Sequence, residues 1–328
     1  MEEWTHQMAN LGYIQVTREC NQRCLFCSNP PSGRLASLAQ LKTQAEDLAT
    51  RGCDGIILTG GEPTLFPELP ALVSHVASLG LPPRIITNGQ RLSDGQLLDE
   101  LLEAGLAYVH LSLYSVRPEL QDRLSGNPGG FDRAQKTLER LGERVTRTRS
   151  VGPLVVDLNV VISRPTAGLV HEVAAFVTER LPFVRHVVFN NLDPSTDRVA
   201  ANPDLVPRLF ELELGLHRAL GLLEAKGRSF RVERVPLCYL PDYEHVSTET
   251  RKIVKEEHRL IHFLDDKRLV CQQGRASWER GKAEACASCR LDPICAGLDS
   301  MDRHYSSAEL APVFLDPAPI VKRILDAP

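Results

Sequence analysis

The chain lacks a strong excess of basic charge and any long apolar run. Lys and Arg number 38 against 42 Asp and Glu, for a net charge of −4 over 328 residues. This balance disfavours a nucleic-acid substrate, although it leaves room for a local basic groove. No run approaches the roughly 20 apolar residues of a membrane span, and the N-terminal sequence MEEWTHQMANLGY does not have the pattern of a signal peptide. Internal repeats and low-complexity segments are absent as well. We therefore expect a soluble, cytoplasmic protein with no membrane partner.

Cysteine, in contrast, is abundant, with nine residues in the chain. Disulfides are rare in the cytosol, where clustered thiols usually indicate a metal site. Seven of the nine fall into two groups, one near each end: Cys20, Cys24 and Cys27, then Cys271, Cys286, Cys289 and Cys295. Cys238 stands apart, and Cys53 is most simply a small buried hydrophobe.

The first two-thirds of the sequence alternates short β-like runs with longer amphipathic stretches. The strand candidates are 13–17, 55–59, 84–87, 108–113, 155–162 and 186–190. Six strand–helix units in a row predict an α/β fold with parallel strands joined by right-handed crossovers. Six are too few for a complete eight-stranded barrel, so we expect a partial (β/α)6 barrel. Chemistry should then lie on the loops at the C-terminal ends of the strands.

The pattern changes after about residue 200. Residues 204–227 predict one long helix, 230–235 one more strand, and 260–271 a hairpin whose turn is formed by Asp265, Asp266 and Lys267. The rest is Cys-rich and irregular, as in small modules that depend on metal. We therefore divide the chain into a barrel domain, 1–235, and a small Cys-rich C-terminal module, 236–328.

The sequence CNQRCLFC, residues 20–27, places three cysteines directly after the first predicted strand. Three thiolates can hold three corners of a 4Fe-4S cube and leave the fourth iron without a protein ligand. A site with four protein ligands would be closed, whereas a vacant position is open to a cofactor. The alternative is half of a zinc site that a distant residue completes.

These residues resemble the signature loop of the radical S-adenosylmethionine (SAM) superfamily, including the aromatic Phe26 before the last cysteine. The resemblance implies a cluster whose unique iron binds the amino and carboxylate groups of SAM. Reductive cleavage of SAM would give a 5′-deoxyadenosyl radical that abstracts a hydrogen atom from the substrate, and an electron donor such as flavodoxin or ferredoxin would be needed. The chemistry belongs to the cofactor, which the protein positions and shields.

A second motif lies at the end of the second predicted strand. Gly60, Gly61, Glu62 and Pro63 match the GGEP motif of the same family, where this stretch binds the amino group of SAM. Adjacent glycines let the backbone approach a ligand, and the acid can accept hydrogen bonds from an ammonium group. Alone, GGEP could be a plain turn. Its position one strand after the cysteine loop favours the SAM interpretation.

Weaker candidates occupy the ends of the later strands. Ser112 is a candidate contact to SAM and Asn159 a candidate for its ribose or carboxylate, while Asn190 and Asn191 could meet adenine or substrate or form an ordinary turn. The stretch QDRLSG, 121–126, departs from the usual family form. The remaining candidates are Thr87, Asn88 and Gly89 of a T-N-G turn, and Arg164.

The C-terminal cysteines resemble the auxiliary-cluster modules called SPASM and, in shorter form, twitch. A full SPASM module ends in C-x3-C, which this chain replaces with CAGLD, so that Asp299 stands in place of the last cysteine. We therefore expect one auxiliary 4Fe-4S cluster. Two ligand sets remain open, and sequence proximity favours the second: Cys238, Cys271, Cys286 and Cys289, or Cys271, Cys286, Cys289 and Cys295.

The resemblance implies a radical SAM enzyme acting on a peptide or protein, with a small-molecule dehydrogenase or cyclase as the alternative. A non-catalytic zinc or redox-sensing protein is the alternative of another class. Because the chain begins almost at its first strand, we expect no leader-peptide domain, so that a peptide substrate would need a separate recognition protein or a short-range contact.

No acid or base is identified by the sequence. Tyr114, Tyr239 and Glu244 are candidates by location only. The polar stretch 247–259, with Thr248, Glu249 and Arg251, either contacts substrate or forms a solvated helix face.

Overall fold

The computed structural model of the chain describes residues 10–146, 152–265 and 269–327. Within these residues nine strands form a single sheet in the order β7-β6-β5-β4-β3-β2-β1-β8-β9. The strands are β1 (Leu11–Thr17), β2 (Gly55–Gly60), β3 (Pro83–Thr87), β4 (Tyr108–Ser112), β5 (Val155–Ile162), β6 (Val184–Asn191), β7 (Ser229–Glu233), β8 (Arg259–His262) and β9 (Leu269–Gln272).

Strands β1 to β7 pair in parallel with their sequence neighbours, which confirms the predicted α/β fold. Each neighbouring pair is joined by a helical crossover, as parallel pairing requires. The arrangement is compatible with a partial barrel. Its interior is a cavity of about 780 Å³ lined by residues from β1 to β8.

The predicted hairpin is present, but it belongs to the same sheet as the barrel strands. Strand β8 pairs in parallel with β1, and β9 pairs antiparallel with β8. The guanidinium of Arg259 on β8 lies 3.9 Å from the carboxylate of Glu233 on β7. The sheet therefore curves until β7 and β8 approach each other. Two residues of the expected turn, Asp266 and Lys267, lie outside the described residues.

Twelve α-helices accompany the strands in the described part of the chain. They are α1 (Leu38–Thr50), α2 (Leu69–Ser78), α3 (Gln96–Glu103), α4 (Pro118–Ser125), α5 (Gly130–Val145), α6 (Arg164–Ala167), α7 (Val170–Arg180), α8 (Asp197–Ala200), α9 (Leu209–Ala225), α10 (Thr248–Lys255), α11 (Gly274–Trp278) and α12 (Pro317–Asp326). Helix α1 shows the local logic, since the Ser37 side chain caps its first turn and Leu41, Ala45 and Leu48 bury one face against the sheet. As far as the chain is described, no helix has the length and apolarity to cross a bilayer.

The helix predicted over 204–227 is shorter than the sequence pattern suggested. Pro207 biases the preceding residue away from helical angles, and Val206 is extended with φ −72° and ψ 115°. Helix α9 therefore begins only at Leu209, and Glu211 accepts a hydrogen bond from the Arg208 amide at 2.7 Å. The prediction was wrong at this end because it followed the leucine spacing across a proline.

Candidate active site

The three-cysteine loop connects β1 to α1 at the C-terminal end of the barrel strands. Cys20, Cys24 and Cys27 are partly buried and all three line the cavity. Local amides already point at two of the sulfurs, since Gln22 N lies 3.4 Å from Cys20 Sγ and Asn29 N lies 3.3 Å from Cys27 Sγ. The loop thus presents its thiols to the cavity in the position expected for the catalytic end of a parallel barrel.

Helix α4 holds this loop through its last carbonyl groups. The amide of Arg23 donates to Ser125 O at 2.9 Å, and the amide of Leu25 donates to Leu124 O at 3.0 Å. Leu124 and Ser125 belong to the unusual QDRLSG stretch. At the other end of that stretch, Gln121 Oε1 accepts from the amides of Tyr114 and Ser115 at 2.8 and 3.1 Å. This stretch therefore fixes the loop through its backbone and the end of β4 through the Gln121 side chain.

Arg198 on α8 also holds the loop, a role that no sequence pattern indicated. Its Nη1 donates to the carbonyl groups of Arg23 and Cys24 at 3.3 and 3.4 Å. Both residues lie at least 174 positions away from Arg198 in the sequence. Only the folded chain brings them together.

The adjacent glycines of GGEP allow β2 to press against the chain just before Cys20. A Cβ on Gly60, which has φ +139°, would lie 2.2 Å from Thr17 O, and one on Gly61 would lie 2.1 Å from Glu19 O. In place of side chains there are two short hydrogen bonds of 2.7 Å, from Gly61 N to Thr17 O and from Glu62 N to Glu19 O. The close approach that these glycines permit is to the cysteine loop.

Glu62 ties the ends of β2 and β3 together. Its carboxylate is 1% exposed and accepts hydrogen bonds from Thr64 N at 3.1 Å, Thr64 Oγ1 at 2.6 Å, Thr87 Oγ1 at 2.6 Å and Asn88 N at 2.8 Å. Burial raises the pKa of this carboxyl even though these donors act in the opposite direction. That Glu62 meets the ammonium group of SAM stays a prediction, and in this structure the residue also lines the cavity. Pro63 is buried and begins a short 3₁₀ turn, Pro63–Leu65.

The surroundings of the loop disfavour the negatively charged thiolate form of its cysteines. Burial raises the pKa of Cys20 to about 11 and that of Cys24 to about 12, and the neighbouring thiols add to both shifts. Tyr114 Oη lies 3.7 Å from Cys24 Sγ, and its ring packs edge-on against Phe26 at 4.8 Å. A cationic iron centre would reverse these shifts by replacing the thiol protons. The donor set therefore fits an iron–sulfur cluster.

No three His, Cys, Asp or Glu side chains of the described residues converge closely enough to hold a single metal ion.

Four polar side chains line the same cavity, one from the turn after β3 and one each from β4, β5 and β6: Asn88, Ser112, Asn159 and Asn190. The Asn88 amide nitrogen donates to Asn21 Oδ1 at 2.8 Å and lies 3.8 Å from Cys20 Sγ. Ser112 and Asn159 are register partners on β4 and β5, and the side chain of Asn190 donates to that of Asn159. The structure thus gathers the four around one space beside the thiols.

Other sequence candidates fall in different places. Arg164 starts α6 and pairs with Glu211 on α9 at 3.2 Å. Tyr239 donates its hydroxyl to Glu309 O at 2.8 Å, and Glu244 is buried in a 3₁₀ turn. None of these three is among the residues described as lining the cavity, whereas Tyr114 is.

The polar stretch 247–259 turns toward the cavity more than a solvated helix face would. Thr248 and Arg251 line the cavity. Glu249 is buried and accepts the amide of Arg234 at 3.1 Å. Lys252, which the sequence did not single out, lines the cavity as well.

The C-terminal thiols are grouped differently in the structure than their spacing in the sequence suggests. Cys238 is buried enough to raise its pKa to about 11, and the thiols of Cys295 and Cys286 lie close enough to add to that shift. Cys289 shares a turn with Cys286, whose carbonyl accepts its amide at 3.0 Å. Cys271 is exposed on β9, where it faces Leu260 across the hairpin. None of these five thiols is among the described residues that line the cavity.

The parallel strands, the cavity and the three-thiol loop at its mouth form a site whose donor set fits an iron–sulfur cluster. Residues 14–163 match the model of the Radical SAM superfamily, so this part of the chain is a radical SAM domain. Among curated proteins, Fe-coproporphyrin III synthase of Methanosarcina barkeri is 35% identical over 132 residues, which is 39% of this chain and 33% of that protein. PqqA peptide cyclase of Xanthomonas axonopodis pv. citri is 33% identical over 173 residues, which is 51% of this chain and 43% of that protein.

The matched region therefore spans 33% of the length of the first of these curated relatives and 43% of the length of the second. Solved structures show the same fold over more of the chain. Streptococcus suis SuiB bound to S-adenosylmethionine superposes with a TM-score of 0.64 at 16% identity, covering 88% of this chain and 72% of SuiB. The structure of anSMEcpe with bound AdoMet gives a TM-score of 0.62 at 14% identity, covering 97% of this chain and 96% of that one.

Proposed function

We propose that this protein is a radical SAM enzyme that modifies a peptide or protein with the help of an auxiliary 4Fe-4S cluster. The observation that carries the proposal is the meeting of the three-thiol loop with the GGEP strand end at the mouth of a cavity of about 780 Å³. The relatives support a peptide substrate, because one is a PqqA peptide cyclase and SuiB has been solved bound to its precursor peptide SuiA.

In this proposal Cys20, Cys24 and Cys27 hold the active cluster, and SAM binds next to it. When bound and reduced by an external electron donor, the cluster and SAM would supply the radical chemistry that removes a hydrogen atom from the substrate. The chain's own part is to keep the loop rigid, through Glu62 and the carbonyl groups of α4, and to leave the SAM side open to the cavity. The side chains that would orient SAM are Asn88, Ser112 and Asn159, together with the backbone at Gly60 and Gly61.

For the auxiliary cluster we propose a ligand set that differs from both sets considered above: Cys238, Cys286, Cys289 and Cys295. The mutual influence of Cys238, Cys286 and Cys295 supports it, as does the exposed position of Cys271 on the hairpin. Asp299, which stands in place of a further cysteine, is bound to Arg280 at 2.6 Å and lies 3.8 Å from Arg234. The carboxylate therefore has a structural partner and is not free to act as a ligand.

The test is anaerobic reconstitution followed by reduction with dithionite in the presence of SAM. We expect brown protein with about eight iron atoms per chain if both clusters fill, and 5′-deoxyadenosine as a product. Colourless protein that carries zinc at both thiol groups and leaves SAM intact would contradict the proposal and favour a non-catalytic metal protein.

A small-molecule substrate is the second candidate, favoured by the match to Fe-coproporphyrin III synthase. The two candidates separate in one assay. Reconstituted enzyme, SAM and dithionite are incubated with peptides encoded beside its gene and, separately, with tetrapyrrole precursors of iron coproporphyrin III. A mass change in a peptide supports the first candidate, and formation of iron coproporphyrin III supports the second.

A further inference from the structure

One wall of the cavity carries more positive than negative charge. It is formed by β7, α10 and the beginning of β8. The cations that line it are Arg231, Arg234, Arg251, Lys252 and Arg259, and the carboxylates are Glu233 and Glu257. Five cations against two carboxylates leave an excess that must be balanced by other groups or by a ligand.

Most of this charge has a partner within the protein. Glu257 accepts from Arg251 at 3.0 Å, and Glu233 lies 3.9 Å from Arg259. Arg234 lies 3.8 Å from Asp299, which is outside the cavity lining. These contacts account for both carboxylates and for three of the five cations.

Arg231 and Lys252 are the two that remain. The Arg231 guanidinium donates to the carbonyl of Phe230 at 3.1 Å, and the ion pairs of the described residues do not include it. Lys252 is 7% exposed, and its ammonium lies 4.1 Å above the ring of Trp278. Neither contact supplies negative charge. The carboxylates that act on Lys252 from a greater distance, Glu233, Glu249 and Glu257, do not offset its burial. A buried cation whose charge is not fully balanced is costly, which makes a site of this kind receptive to an anion.

The pKa values of both groups reflect the same shortage of negative charge. Burial, with the adjacent Arg251, lowers the pKa of Arg231 to about 10. Burial and the nearby Arg259 lower the pKa of Lys252 to about 8. Glu257 acts on both groups in the opposite direction, which places both cations near the same carboxylate.

The position of Arg231 relates this wall to the candidate SAM site. Along the hydrogen-bonded row of the sheet, Ser112 is paired with Asn159, Asn159 with Val188, and Val188 with Arg231. All four line the cavity. An anionic group held at Arg231 would therefore sit at the depth of the candidate SAM contacts, two strands from Asn159 and three from Ser112. The remaining cavity between them would hold the rest of a substrate.

We propose that Arg231 and Lys252 form a subsite for a carboxylate side chain of the substrate. This inference rests on the proposed function, since it specifies that the peptide carries a Glu or Asp near the modified residue. A guanidinium matches a carboxylate in a two-point contact, and an ammonium adds a point charge. With Glu257 already beside both cations, a single added negative charge fits better than the two of a phosphate.

The test measures binding to the reconstituted, unreduced protein by calorimetry, so it does not depend on SAM cleavage. The probes are acetyl-Ala-Glu-Ala-amide, its neutral Gln counterpart and inorganic phosphate. We expect the Glu peptide to bind about ten-fold or more tightly than the Gln peptide, as a charge-assisted contact predicts. The preference should disappear in Arg231→Gln, persist partly in Arg231→Lys, and be unchanged in Arg218→Gln, which removes an exposed arginine from α9.

Equal binding of the two peptides by the wild-type protein would overturn the inference, and so would a preference that survives in both Arg231→Gln and Lys252→Gln. Tighter binding of phosphate than of the Glu peptide would overturn the choice of a carboxylate. Failure of the proposed function would look different, because the protein would then leave SAM intact whatever the peptides do.

Thermal unfolding provides a second readout. Removing an uncompensated buried charge should leave the melting temperature of the ligand-free protein unchanged or raise it, whereas removal of a structural ion pair lowers it. A lower melting temperature in Arg231→Gln than in Arg218→Gln, with the peptide preference retained, would show that Arg231 is a structural residue.

Discussion

The two sets of cysteines in this protein, one in the N-terminal loop and one near the C-terminus, differ in what surrounds them. Cys20, Cys24 and Cys27 line the cavity, whereas the C-terminal thiols do not. The first group is fixed from outside by α4 and Arg198, and the second is enclosed by its own turns, with Gly297 N 3.4 Å from Cys295 Sγ. Three thiols open to a cavity suit a cluster that binds a cofactor, and four thiols away from it suit a closed cluster that carries electrons.

The cavity wall and the region of the C-terminal thiols also differ in how well their buried charges are paired. The cavity wall holds buried cations with little compensation, while the carboxylates near the C-terminal module, such as Asp299 and Asp292, are paired with Arg280 and Lys282 at 2.6 and 2.8 Å. Functional sites commonly retain such unfavourable features, because a ligand removes them on binding.

The largest effect should follow from removing the first thiol group. The triple variant Cys20→Ala, Cys24→Ala, Cys27→Ala should produce no 5′-deoxyadenosine, because no ligand would remain for the active cluster. Its iron content should fall from about eight to about four per chain, since the proposed C-terminal cluster would have its own ligands. Chromatographic assay of 5′-deoxyadenosine and iron analysis check both expectations. Deoxyadenosine formation by this variant would show that the active cluster lies elsewhere.

Removing part of the second group should separate SAM cleavage from product formation. We expect Cys286→Ala with Cys289→Ala to lose about four iron atoms and to form no modified product, yet still to cleave some SAM. The matched control is Cys271→Ala, which removes an exposed thiol of the same region and should keep the full iron content. If Cys271→Ala loses iron while Cys238→Ala keeps it, the proposed ligand set is wrong.

A smaller effect is expected from the hydrogen bonds that fix the mouth of the cavity. Thr87→Val removes the hydroxyl that donates to the buried Glu62 at 2.6 Å, which should reduce the free energy of unfolding by about 1–3 kcal/mol. The exposed Thr43→Val on α1, whose hydroxyl bonds only its own helix at Ala39 O, serves as the control and should change stability little. Chemical denaturation measures both. Equal losses in the two variants would show that Glu62 does not tie the strand ends together.

The smallest effect concerns Lys252 and depends on pH. Its folded-state pKa, about 8, lies below the ordinary value of 10.5. The charged lysine therefore disfavours the folded state fully below pH 8, and this penalty fades as the pH rises from 8 through 10.5. Lys252→Met should be more stable than the wild type by roughly 1–3 kcal/mol at pH 7, and the difference should shrink toward pH 10. A variant that is less stable at pH 7 would mean that the cation is compensated in the folded protein.

The charged groups that act on Lys252 come from several elements, and they act in both directions. Arg259 on β8 lowers its pKa, while Glu233 on β7, Glu249 on α10 and Glu257 raise it. Trp278 on α11 covers the ammonium. Desolvation by these elements is the largest influence, and the carboxylates do not offset it.

Much of the fold could be predicted from the sequence because the parallel strands are short, buried and regularly spaced. The cysteine loop and GGEP were identified as local patterns, and the structure places both at one end of the barrel. The contacts that individual residues make were predicted less completely. The glycines were expected to approach a ligand, but which backbone they would meet depends on the pairing of β2 with β1.

Contacts between distant segments were beyond the reach of sequence spacing. Cys271 is near Cys286 in the chain, but β9 places it on an exposed strand of the hairpin, while Cys238 follows β7 toward the other thiols. Arg231 falls in a predicted strand, and alternation alone did not show that its side chain faces a cavity short of negative charge. In each case the decisive neighbour comes from another part of the chain.

The most direct test of the central claim is electron paramagnetic resonance of the reduced active cluster with and without SAM. Reconstituted Cys286→Ala, Cys289→Ala protein is suitable, because it should retain only the cluster of the N-terminal loop. We predict that adding SAM changes the signal of this cluster, since SAM binds the iron that lacks a protein ligand. An identical spectrum before and after saturating SAM would contradict an open cluster at Cys20, Cys24 and Cys27.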